Sequence, residues 1–178
     1  MLFRSRGMIG FLAREQIMPG TSKGLFSPNA PITRGQLAET LASALQLKTA
    51  VSPTSAYKDV PAGTLIAARI TAAVNAGLVS PSSASTFRPN DPTSRQDLAT
   101  ALSSGFALTA TQAPAVSDAT KISPAASASV AAVVSKGYLK AFPDKTFRPT
   151  TTVTREEAAQ AIYMALYDQM LAAAQKAQ

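Results

Sequence analysis

The sequence predicts an all-α fold, in which three helix–loop–helix repeats pack as a pseudo-three-fold trimer within one chain. Three observations lead there. One segment recurs, as FSPNAPITRGQLA from Phe26, FRPNDPTSRQDLA from Phe87 and FRPTTTVTREEAA from Phe147, at intervals of 61 and 60 residues. Upstream of each copy, apolar residues fall on one helical face in a common register. The chain is also 46% apolar but only 6% aromatic, with much of the apolar content alanine. That balance favours closely packed small helices over an aromatic-rich sheet core.

The first helix of repeat one is predicted within MLFRSRGMIGFLAREQ, where Ile9, Leu12, Ala13 and Gln16 share a face. This stretch loosely resembles a signal peptide, with Arg4 and Arg6 ahead of apolar residues. Arg14 and Glu15 interrupt it, however, and the repeat register accounts for it better. The second helix of the repeat follows Thr33, with the stripe Leu37, Leu41 and Leu45. In repeat two, Ile70, Ala73 and Val74 form the first-helix face and Gly77 supplies a left-handed stop. Its second helix follows Ser94 and carries Leu98, Leu102 and Phe106. Repeat three matches with Val130, Val133, Val134 and the stop Gly137, then Ala158, Ile162, Leu166 and Met170 behind Thr154. That last helix meets no Gly or Pro and is expected to run to about residue 174.

The linkers KTAVSPTSA (48–56) and TATQAPAVS (109–117) are small, polar and proline-containing, so the repeats are delimited as 1–47, 57–108 and 116–178. Repeats two and three open with YKDVP and VSDAT, which place Asp59 and Asp118 as helix caps; the matching opening of repeat one would lie before Met1. Phe26, Phe87 and Phe147 read as apolar plugs that pin the loops. A unit of this size buries little apolar surface by itself. Three together bring equivalent helices to the centre and the second-helix starts to the boundaries between units.

Those starts carry the candidate chemistry. Thr33, Ser94 and Thr154 are N-caps, and Gln36, Asp97 and Glu157, three residues on, are supporting cap residues in the capping-box pattern. At the first helical position between them stand Arg34, Arg95 and Arg155. A cation there faces the positive end of the helix dipole, which is mildly unfavourable, yet it occurs three times. Free N–H groups at a helix start suit a carboxylate, and a guanidinium adds a bidentate partner for the same anion. The three arginines are therefore the candidate ligand-binding residues, and three sites on one polymer would gain avidity. The competing role is structural, with the arginines bridging units by pairing with carboxylates such as Asp59 and Asp118.

With 17 basic and 10 acidic side chains, the net charge of +7 points to an anionic partner. No basic run or aromatic platform supports nucleic acid, and no polybasic patch supports a membrane surface. Cysteine and histidine are absent, which removes disulfides, thiolate metal sites and the commonest general base. No catalytic pair stands out, so the reading is non-enzymatic, with no catalytic residues, metal or cofactor. No apolar run approaches the roughly 20 residues of a membrane-spanning helix.

The pattern resembles the S-layer homology domain family in three tandem repeats, on YKDVP, the helix ends AGLV and KGYL, the loop PDKTFRP, and above all ITRGQ, TSRQD and VTREE. The resemblance covers about residues 5–168. It implies a pseudo-trimeric helical fold and location at the bacterial cell envelope or surface. It also implies non-covalent binding of an acidic, pyruvylated secondary cell-wall polysaccharide, with the ligand-gripping role falling on Arg34, Arg95 and Arg155. Other envelope or S-layer proteins are further partners of that kind. The sequence departs from the family in lacking tryptophan, Leu65 and Ala125 standing near its usual place, and in having Lys145 for the loop glycine. The alternative reading is a protein-interaction subunit that docks to another envelope or membrane-complex protein without glycan binding, with Tyr163, Leu166, Tyr167 and Met170 as a docking stripe or as packing against repeat one.

Overall fold

The computed structural model describes residues 2–21 and 24–176. Its six α-helices are α1 (Leu2–Arg14), α2 (Arg34–Ala44), α3 (Leu65–Asn75), α4 (Arg95–Gly105), α5 (Ser127–Ser135) and α6 (Arg155–Lys176). Short 3-10 turns at Ala119–Lys121 and Pro124–Ala126 lead into α5. Among the described residues the only extended pairing is in isolated bridges, and the fold is all-α as the sequence predicts.

The helix ends follow the local chemistry. Gly77 (φ 69°) and Gly137 (φ 73°) take the left-handed conformation, and the next N–H reaches back to Ala73 and Val133 respectively. Gln16 adopts φ 55° at the same place after α1, where a side chain is strained. At the starts, Thr64 caps α3, while Thr33 and Gln36 close a full capping box on α2. Thr154 and Glu157 do the same on α6, by N–H contacts of 3.0 and 3.2 Å. Asp97 is one methylene shorter than Glu157; it accepts from the Ser94 hydroxyl at 2.6 Å, and no bond from the Ser94 backbone N–H closes the box.

Packing crosses the repeat boundaries. The second helix of each repeat lies against the first helix of the next, as α2 with α3, α4 with α5, and α6 back onto α1. Among the second helices, α6 also touches both α2 and α4. Ile32, Leu37, Leu41, Leu98, Leu102 and Ile162 fill the common interior. At one end, the three segments before α2, α4 and α6 form a closed ring of backbone bonds. Ile32 N–H donates to Val153, Val153 N–H to Thr93, and Thr93 N–H to Ile32, each at 3.0 Å. The apolar stripe of α6 does not extend to Met170 as its spacing implied. Its buried positions end at Leu166, and Tyr167, Met170 and Leu171 beyond are exposed.

Replacing Gln16 with glycine removes the left-handed strain without taking away any recorded side-chain bond. Gln16→Gly should raise stability by about 1 kcal/mol, read as a higher urea midpoint with an unchanged slope. A lower midpoint would mean that the Gln16 side chain supports the turn.

Candidate functional site

The three arginines occupy one recurring cradle. Each leaves its own helix start and reaches the loop of the next repeat. The guanidinium carbon of Arg34 lies 4.8 Å from the Phe87 ring centre, Arg95 4.8 Å from Phe147, and Arg155 4.8 Å from Phe26. Nε donates to the carbonyl of that same phenylalanine, at 3.1, 2.7 and 2.8 Å. Nη2 donates to the carbonyl past the preceding helix stop, Ser80 at 2.7 Å, Lys140 at 2.8 Å and Pro19 at 2.7 Å. Charge-assisted bonds to two carbonyls and a ring face offset the unfavourable position on the dipole.

The helix starts are not open to an anion as the sequence argument supposed. Arg34, Arg95 and Arg155 N–H donate to Asp91, Thr151 and Ala30, and the following N–H groups to Pro89, Pro149 and Pro28. The third N–H of each start goes to the cap hydroxyl, of Thr33, Ser94 or Thr154. The neighbouring loop supplies the carbonyls, so these donors are spoken for.

The cradles differ in exposure. Arg95 and Arg155 are each 3% exposed, and burial pulls both guanidinium groups below their usual value. Arg95 also lies 4.9 Å from the Phe142 ring and pairs with Glu157 at 3.3 Å. Arg34 is half-buried and lines a cavity of about 230 Å³ with Ser80, Thr93, Asp97, Thr100 and Ser123. Arg155 lines a smaller one, about 70 Å³, with Gln36, Glu39 and Thr40. The sequence-predicted residues are thus brought together in pairs across repeats: Arg34 with Asp97, Arg155 with Gln36, Arg95 with Glu157.

Asp59 and Asp118 neither cap the first helices nor make ion-pair contact with the three arginines. Each clamps the Phe-x-Pro loop of its own repeat. Asp59 accepts from Phe87 N–H at 2.9 Å and Arg88 N–H at 2.6 Å. Asp118 accepts from Phe147 N–H at 2.7 Å and Arg148 N–H at 2.8 Å. The clamp holds the N–H groups of the fully buried Phe87 and Phe147 and of Arg88 and Arg148, which are left-handed at φ 62° and 57°. Sequence reasoning missed it, although both aspartates recur at nearly fixed distance before a Phe-x-Pro. The Ser80, Thr100 and Ser123 walls of the larger cavity carry no motif and left no such signal.

The Phe87 N–H, followed by that of Arg88, holds the Asp59 carboxyl below its usual value of 3.8. For Asp118, burial pushes the carboxyl up, but the Phe147 and Arg148 N–H groups outweigh it and the net shift is downward. A carboxyl depressed in the folded state contributes its full stability above its ordinary value and loses it as pH falls through the lowered one. Asp118→Asn should therefore lower the urea midpoint near neutral pH and flatten its decline as pH falls below about 5. An acid slope equal to that of the parent chain would remove Asp118 from this account.

Among the described residues, no helix is long and apolar enough to cross a membrane. The sequence profile of the S-layer homology domain matches residues 8–38, 56–99 and 117–159. No curated protein matches the chain. Domains of this kind are non-catalytic modules that bind cell-wall polymers and hold proteins at the cell envelope or surface. With one match on each repeat, together covering most of its length, the chain belongs to the S-layer homology domain family.

Proposed function

We propose that this chain is a non-catalytic anchor that binds an acidic, pyruvylated secondary cell-wall polysaccharide non-covalently at its arginine-bearing helix starts, and so holds its carrier at the bacterial cell surface. Arg34, Arg95 and Arg155 are the ligand-binding residues of this reading, seated by the caps Thr33, Gln36, Ser94, Asp97, Thr154 and Glu157. The observation that carries it is Arg34. Its guanidinium is partly open, lines the larger cavity beside hydroxyl groups, and makes no recorded bond through Nη1. A half-desolvated guanidinium with hydroxyls around it suits a carboxylate on a sugar. The net charge of +7 favours approach of an acidic polymer.

A second reading has its own observation. Tyr167, Met170 and Leu171 are 50%, 59% and 44% exposed on the last turns of α6, an apolar face of the kind that a docking partner covers.

Calorimetry with purified polysaccharide, with and without its pyruvate groups, separates the two. The anchor reading expects binding that disappears with the pyruvate and weakens about tenfold in Arg34→Ala. A folded chain that binds neither polymer, or both equally, would overturn it in favour of protein docking.

A further inference from the structure

We propose that the three repeats are unequal as binding units, and that the Arg34 groove is the single site at which the chain takes ligand, one acidic sugar residue per chain. Arg34 meets the carboxylate and Asp97 accepts from a ring hydroxyl. This rests on the reading of the chain as an anchor for an acidic polysaccharide, and it replaces three-site avidity with one-site binding.

The repeat register makes the three grooves directly comparable, because positions 61 or 60 residues apart are equivalent. At the Arg155 groove, Glu39 stands on the wall and pairs with Arg69 of α3 at 2.6 Å. The pair crosses from α2 to α3 and bridges the groove with two long side chains, which leaves little room beside Arg155. The equivalent residues at the Arg34 groove are Thr100 and Ser129, which are shorter and carry no charge. The cavity is accordingly about 230 Å³ at Arg34 and about 70 Å³ at Arg155. The larger volume lies below the roughly 300 Å³ at which drug-sized pockets begin, so it holds a single ring.

The Arg95 cradle is filled by protein. Its guanidinium lies between the rings of Phe142 and Phe147, at 4.9 and 4.8 Å, and Glu157 neutralises it at 3.3 Å. Asp97 occupies the Glu157 position at the Arg34 groove, but the shorter side chain turns to Ser94 and makes no ion pair with Arg34. Cation and carboxylate therefore line one cavity without cancelling each other. That arrangement offers a donor for an acid and an acceptor for a hydroxyl on the same ring. Thr93 adds to the asymmetry. It stands on the wall where the other repeats bury Ile32 and Val153, and its hydroxyl has no protein partner.

The test is calorimetry and amide-shift mapping of the full chain with a methyl hexoside carrying a pyruvate ketal, and with the neutral hexoside. Thr100→Glu places on α4 the longer side chain that Glu39 supplies on α2, and Ser104→Glu puts the same side chain on the exposed face of α4, outside the groove. The expected result is one ring per chain, shifts confined to the Arg34 groove, at least tenfold weaker binding in Thr100→Glu, and parental binding in Ser104→Glu. Equal melting of the two variants shows that the loss is local. Binding of about three rings per chain, shifts at the Arg95 or Arg155 grooves, or a Thr100→Glu variant that binds like the parent would overturn the single-site proposal and leave the anchor reading in place. No binding of the pyruvylated ring by the folded parent would overturn both.

Discussion

The fold depends on an arginine that never serves its own repeat. From the first turn of α2, α4 and α6, Arg34, Arg95 and Arg155 each cross to the next loop, sit over its phenylalanine and donate to two of its carbonyls. A cation at the positive end of a helix is a small penalty. Here it is repaid by charge-assisted bonds to carbonyls that the neighbouring loop would otherwise leave short of donors. Because the last of the three returns to the first repeat, the chain closes on itself. The backbone ring through Ile32, Thr93 and Val153 and the cross-boundary helix pairs follow the same direction.

This frame sets what remains for function. Arg95 and Arg155 are each 3% exposed, which leaves Arg34 as the most open guanidinium of the three. Only small differences between repeats then decide which groove stays open. A threonine in place of Glu39, a serine in place of Arg69 and an aspartate in place of Glu157 leave space and unpaired charge beside Arg34. Symmetry builds the scaffold, and departures from symmetry at positions such as Thr100 and Asp97 give one boundary its distinct chemistry.

Much of the scaffold was legible in the sequence, because it is written in local, repeated chemistry. Hydroxyl caps, left-handed glycines and helical stripes act within a few residues, and their recurrence at 60 and 61 residues exposed the architecture. What escaped was long-range pairing with the backbone. Ser80, Lys140 and Pro19 accept from the arginines through carbonyls, which any residue possesses and no motif marks. Asp59 and Asp118 look like caps because a carboxylate before a helix usually is one; their partners lie 28 to 30 residues away. The helix starts looked free for an anion because the carbonyls that fill them come from another repeat. The Asp97 cap failed for want of one methylene, which a pattern that accepts either acid does not resolve.

The most direct test of this cyclic frame is native-state hydrogen exchange at the amides of Ile32, Thr93 and Val153, with those of Arg34, Arg95 and Arg155 beside them. If each repeat is completed by the next and the last by the first, no boundary opens alone. All six amides should then exchange only through global unfolding, with one common free energy and one dependence on denaturant. If the amides at one boundary exchange through a smaller opening while the others stay protected, the repeats are separable units and the closed frame is wrong.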